Sequence, residues 1–147
     1  MNIDQAHGLL NEIEDLLYSG SLWDICWRNA VNQIRAERVD GPFTEALAKI
    51  HALGALDHDL NKFINVFIRS QIQQFHQKLY KTRKRYRVIN TYFYKYSDVL
   101  VFVEESKILI AALHKKIDQI HADSCKVSAE FHARALPCGT GVLIVDD

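Results

Sequence analysis

Between Gly54 and Pro137 the chain runs 82 residues without a glycine or a proline. Strands joined by tight turns use both residues repeatedly, glycine because it reaches positive φ freely and proline because it presets a bend. Their absence over such a length points to long helices. The apolar spacing agrees. Ala6, Leu9, Leu10, Ile13, Leu16 and Leu17 recur at three and four residues, with Asp4 as a cap and Ser19-Gly20 as a stop.

A second helix is expected from Ser21, its cap, to before Asp40-Gly41, burying Trp23, Cys26, Trp27, Ala30, Val31 and Ile34. Pro42 suits the first turn of a third, shorter helix striped by Phe43, Leu47, Ile50 and Leu53. The fourth begins near Asp57 or Asp59 and carries Leu60, Phe63, Ile64, Phe67, Ile68, Ile72, Phe75 and Leu79. Unbroken to Tyr96 it would measure about 57 Å at about 1.5 Å per residue, so a break is expected between Lys81 and Thr91. Ser97 caps the last helix, striped by Leu100, Val103, Ile110, Leu113, Ile117 and Ile120, although Val99 to Val103 taken alone has the look of a strand.

The expected fold is all-α: an antiparallel bundle of four to five helices over residues 1–128, with an irregular or extended tail over 129–147 that could open a following domain. Its core should include Leu10, Ile13, Leu17, Trp27, Ile34, Leu47, Ile50, Ile64, Phe67, Ile68, Leu113, Ile117 and Ile120. With 48% apolar and 24% charged residues, a disordered tail, a collagen and a disulfide-dense mini-protein are excluded. Cys26, Cys125 and Cys138 show no CxxC spacing, and no apolar run approaches a membrane span. A cytoplasmic protein with free thiols and no membrane role is expected.

Near the carboxyl end Val142-Leu143-Ile144-Val145 is followed by Asp146-Asp147. This resembles the first strand of a response-regulator receiver domain, in which an acidic pair after an apolar strand helps to hold magnesium. The resemblance covers about seven residues, and it implies that the helical part is the partner domain of a larger signalling protein. The alternative is an extended segment packed on the bundle.

Charge is distributed far from evenly. Eighteen basic and eighteen acidic side chains cancel overall, yet the 38 residues from Leu60 to Ser97 contain no carboxylate and nine cations: Lys62, Arg69, Lys78, Lys81, Arg83, Lys84, Arg85, Arg87 and Lys95. Helical neighbours cannot neutralise the group at 81–87, because they too are basic or neutral. Its partners are acidic faces elsewhere in the chain, a second subunit, or phosphates. Tyr80, Tyr86, Tyr92, Tyr94 and Tyr96 are interleaved with the cations and offer flat faces for unpaired bases, while arginine contacts phosphate through two donors. The opposing view makes this a solvated basic helix whose tyrosines cover the core edge.

Arg69 and His76 are seven residues apart and so share a helix face. The spacing resembles the Arg-x(4–6)-His signature of HEPN-type helical ribonucleases, and implies a metal-independent dimeric nuclease acting on the scissile phosphate of RNA. His114, Asp118, His121 and Cys125 follow one flank of the last helix; His121 and Cys125 are spaced to bind zinc as a pair, but a line of about 16 Å cannot close around one ion without other helices. His51-Ala52-Leu53-Gly54 resembles the histidine motif of phosphotransfer bundles, without the lysine that family places between leucine and glycine. A phosphate loop, a nucleophile elbow and a telling carboxylate pair are absent from the sequence.

The functional expectation is a non-enzymatic binding or regulatory module, without a cofactor, that engages RNA or single-stranded DNA through residues 78–96. Lys78, Lys81, Arg83, Lys84, Arg85 and Arg87 would contact phosphate, and Tyr80, Tyr86 and Tyr92 would stack. The competitors are a ribonuclease built on Arg69 and His76, and a signalling domain whose positive helix docks on an acidic protein or on its own twin in a homodimer.

Overall fold

The computed structural model describes residues 1–18, 33–86 and 90–135, with side chains for all of these except Tyr86 and residues 127–135. Its elements in chain order are α1 (Ile3–Leu17), β1 (Gln33–Arg35), α2 (Glu37–Gly54), α3 (His58–Phe63), a π-helical turn (Ile64–Ile68), α4 (Arg69–Tyr80), β2 (Lys84–Tyr86), β3 (Thr91–Lys95) and α5 (Tyr96–Ala135). The fold is mostly helical. This agrees broadly with the all-α expectation, to which the structure adds a small three-stranded antiparallel sheet ordered β1-β3-β2.

Several boundaries follow from caps. Asn2 rather than Asp4 caps α1, its Oδ1 accepting from the amides of Asp4 and Gln5 at 3.0 and 3.2 Å. Asp57 caps α3 by accepting from the amide of Leu60 at 3.0 Å. At Asp40-Gly41-Pro42 the sequence signals mislead, because α2 begins at Glu37 and runs straight through them. Most of the helix expected from Ser21, including Trp23, Cys26, Trp27, Ala30 and Val31, lies outside the described residues. Of its described part, Gln33–Arg35 is strand, with Ile34 opposite Tyr94, and residues 37–39 form the start of α2.

The expected break after Lys81 is present, and it houses a hairpin. Thr91-Tyr92-Phe93-Tyr94-Lys95 is rich in aromatic and β-branched side chains, which suit a pleated, half-buried surface. Asn90 precedes it at φ 49°, in the left-handed region that asparagine tolerates better than most residues. Ile34 and Tyr94 face inward from paired positions and are fully buried; the alternate row Arg35–Phe93–Lys84 belongs to the opposite face, where Arg35 and Lys84 are exposed.

The core joins α1, α2, the α3–α4 helix and α5 through Leu10, Ile13, Leu17, Ile50, Ile64, Ile68, Leu113 and Ile117. Leu47 and Ile120 sit at its edge, and Trp27 lies outside the described residues. Phe67 is a correction, being 53% exposed beside Val66 at 58%. The cause is the π turn. Leu60, Ile64, Ile68 and Ile72 are buried at intervals of four, and an α-helix overshoots each such interval by about 40°. The wider turn, in which the Arg69 amide donates to the Ile64 carbonyl five residues back, takes up the overshoot and keeps the four on one face. Phe67, which plain helical spacing would turn inward, is carried outward.

The last helix begins at Tyr96 and extends to Ala135, past residue 128; residues 136–147, with Cys138 and the run 142–147, lie outside the described residues. Val99, Phe102 and Val103 are buried on α5, which resolves the strand-like stretch as helix. Gly54 of the His51-Ala52-Leu53-Gly54 sequence has a packing reason. A Cβ there would lie 2.8 Å from Asn61 Oδ1 and 3.4 Å from Asn61 Cα, so the glycine lets α3 approach the end of α2. Among the described residues no helix is long and apolar enough to cross a membrane.

Candidate nucleic-acid interface

The basic segment leaves the end of α4, turns through Lys81-Thr82-Arg83 and forms the edge strand β2. The turn is held by Thr82, whose hydroxyl donates to the Leu79 carbonyl at 2.7 Å. Lys78, Lys81, Lys84 and Arg85 are exposed, Arg83 is half-buried, and Arg87 lies outside the described residues. Among the described residues, Lys78, Lys81, Arg83, Lys84, Arg85 and Lys95 take part in no ion pair; the Lys and Arg pairs described are Arg35–Glu37, Lys49–Glu12 and Lys107–Glu104. Lys78 instead lies over the Phe75 ring, 5.8 Å from its centre.

Arg83 organises the tyrosines. Its guanidinium carbon lies 3.8 Å from the centre of the Tyr80 ring and 4.2 Å from that of Tyr92, forming a three-layer stack. Tyr80 and Tyr92, 41% and 38% exposed, form its two ends. Sequence reasoning placed Arg83 with the phosphate-binding cations and the tyrosines with the stacking groups; the structure joins them in one unit. For Tyr86 the backbone pairs with Thr91 in the ladder.

Behind the stack lies a polar cluster that the sequence did not disclose. Tyr94 is fully buried, and its hydroxyl donates to Asp40 Oδ1 at 2.7 Å. His76 Nε2 lies 2.7 Å from the same oxygen. Burial first, and then the hydrogen bond to Asp40 and the charge of its carboxylate, push the Tyr94 hydroxyl well above the ordinary tyrosine range, against a smaller opposing pull from Arg83. The His76 ring stacks on Phe43 at 4.0 Å and 7° and meets Phe102 edge-on at 6.0 Å. It also approaches Tyr80 at 6.2 Å, so rings lead continuously from the core to the surface stack. The sequence singled out His76 for its spacing from Arg69 and Asp40 as a helix-end mark, but not their meeting, which follows from α2 carrying Asp40 inward instead of ending on it.

The two residues of the HEPN-like spacing have different surroundings. Arg69 is exposed at the first position of α4; His76, two turns on, is enclosed by Asp40, Phe43, Tyr80 and Phe102. His121 Nε2 lies 3.8 Å from Cys125 Sγ, both exposed, and among the described residues no three His, Cys, Asp or Glu side chains gather as metal ligands would. His114 bonds to Glu14 and His7 lies 3.4 Å from Asp118, so these histidines link α5 to α1. His51 is exposed on α2.

A cleft of about 530 Å³ lies where the start of α2 meets the hairpin, tied there by the Ala36 amide, which donates to the Tyr92 carbonyl at 2.9 Å. Glu37, Asp40, Gly41 and Thr44 line one wall at helical spacing, and Arg83 and Tyr92 stand opposite, with Asn90 at the mouth of the turn. The exposed cations give the surface one positively charged edge, and Glu37 and Asp40 give the recess oxygens able to accept hydrogen bonds. No protein-family model matches the chain, and no curated protein or solved structure matches it either.

Proposed function

We propose that this protein is a non-enzymatic binding module for single-stranded nucleic acid, RNA or DNA, and that its interface is the end of α4 together with β2. The observation that carries the reading is the exposure of Lys78, Lys81, Lys84 and Arg85 on one short segment, with no ion pair to any of them among the described residues. Like charges held close together repel, and that cost is offset when an anion sits against them. The exposed ends of the Tyr80–Arg83–Tyr92 stack offer aromatic faces beside the cations, the combination that lets a groove hold bases and backbone together. His76, enclosed and bonded to Asp40, serves in this reading to support Tyr80 from behind.

The test is a fluorescence titration against single-stranded and duplex oligonucleotides at two salt concentrations. Contact of Lys78, Lys81, Lys84 and Arg85 with about four phosphates gives a log-log salt slope of about −2.8 for a single strand, because each neutralised phosphate releases about 0.7 of a counterion. The double variant Lys84→Ala/Arg85→Ala should flatten that slope by about 1.4. Absence of saturable binding at low salt refutes the proposal, as does a slope that the double variant leaves unchanged. Tight binding of an acidic protein in place of nucleic acid, or a dimer in which β2 is hidden, would assign the same cations to a protein interface.

A further inference from the structure

The cleft beside the stack has a composition that phosphate binding alone does not explain. A groove for a polyanion should be positive throughout, yet Glu37 and Asp40 line this recess within the most basic part of the molecule. Asp40 Oδ1 already holds Tyr94 and His76, which fixes the carboxylate in place. Glu37, in the first turn of α2, has a side chain 71% exposed and only a loose contact to Arg35 at 3.8 Å. Opposite them is Tyr92, one end of the arginine–tyrosine stack.

The α2 wall of the cleft also carries a glycine. Gly41 lies inside α2, where glycine weakens a helix, and a Cβ at that position would meet nothing within 4 Å. Gly41 also precedes Pro42 inside the helix, where the proline ring crowds any Cβ on the residue before it, so glycine suits the position locally. Having no side chain, it leaves this part of the cleft unfilled.

A ligand suited to this recess has a flat face for Tyr92, adjacent hydrogen-bond donors for a carboxylate, and a phosphate that stays outside with the cations. Among the common bases, guanine alone presents two neighbouring donors, N1–H and N2–H, on one edge, and so matches a carboxylate with two parallel hydrogen bonds. Adenine and cytosine each set an acceptor beside their amino group, and that acceptor would face carboxylate oxygen. We propose that the cleft between α2 and the β2–β3 hairpin holds a guanine base of the bound strand, stacked on Tyr92 and paired through its N1–H and N2–H edge with Glu37. Asp40 acts as a positioning residue, holding the wall through Tyr94 and His76. The inference rests on the single-strand reading and adds base selectivity to it.

The experiment compares labelled oligouridylates of roughly eight nucleotides, a length within the span of a typical single-strand groove, with the same strands carrying one central guanosine, adenosine or cytidine. The expected result is about 10-fold tighter binding of the guanosine strand, the size of one good two-bond base contact. Glu37→Gln, which swaps one acceptor for a donor, should remove that preference and leave oligouridylate affinity within about twofold. Gly41→Leu puts a side chain into the cleft with nothing beyond its chain neighbours within 4 Å of Cβ, and should do the same. Circular dichroism of both variants shows whether the helices are retained. Equal affinity for all four strands, a preference for another base, or a guanosine preference that survives both variants overturns the guanine site while the polyanion interface stands. If no strand binds at all, the polyanion reading falls, and the guanine site with it.

Discussion

Tyr94→Phe is a substitution whose effect should change sign with pH. At neutral pH it removes one hydroxyl from a fully buried side chain and one of the two hydrogen bonds at Asp40 Oδ1. A hydrogen bond to a charged acceptor contributes about 1.5–3 kcal/mol. The Asp40 side chain is 29% exposed, so water can replace the lost donor in part, and the lower figure of about 1.5 kcal/mol applies. Alkaline conditions reverse the balance. The folded protein holds the Tyr94 hydroxyl protonated well above the ordinary range, whereas in the unfolded chain it ionises near pH ~10. Above that point the unfolded state binds fewer protons than the folded one, so stability falls with rising pH, at about 1.4 kcal/mol per unit for this one group.

Phenylalanine has no proton to lose. The gap between wild type and variant should therefore close by about 1.4 kcal/mol per pH unit above pH ~10, and the two should cross near pH ~11. Tyr18, whose hydroxyl is also pushed up by burial and by Glu14, contributes equally to both proteins and cancels in the difference. Urea unfolding followed by circular dichroism at about pH 8, 10 and 11.5 measures the gap. A difference that stays constant across that range would refute the assignment of Tyr94 as a buried, Asp40-bonded phenol.

Other outcomes follow from packing. Gly8→Ala should raise stability by about 0.5–1 kcal/mol, since it lies inside α1 and the new methyl meets nothing within 4 Å, while Gly54→Ala should lose that gain or destabilise because its methyl meets Asn61; paired thermal melts compare them. Ile68→Ala should cost about 2–5 kcal/mol and Phe67→Ala less than about 1 kcal/mol, a contrast that denaturant titration reads directly and that a regular helix through this stretch would not produce.

Much of the helical scaffold was legible in the sequence, because α1, the start of α3 and most of α5 follow from apolar spacing and from Asp57 as a cap. Non-local structure was not legible. The strand β1 is three residues long and exists because Ile34 finds Tyr94 sixty residues away, an arrangement that no local window contains. For β3 a signal was present in Thr91 to Lys95, and the lack of glycine and proline outweighed it in the reading of this interval as helical. Asp40-Gly41-Pro42 carries every local mark of a helix end; tertiary placement of Asp40 beside Tyr94 and His76 overrides them. At the candidate interface, composition alone located the basic segment, but only coordinates could join Tyr80, Arg83 and Tyr92, since stacking is decided by the turn after α4.

The π turn at Ile64–Ile68 amounts to one surplus residue absorbed within a single coil of backbone. A chain shortened by Val66 alone could close this stretch into ordinary α-helix and keep Leu60 and Ile72 in phase, whereas losing a residue from the middle of α4 would twist everything beyond it by about 100°. Length variation in this helix is thus harmless at one address and ruinous a few positions later, which makes the bulge the place where a shorter version of the protein could preserve both its interior and its basic edge.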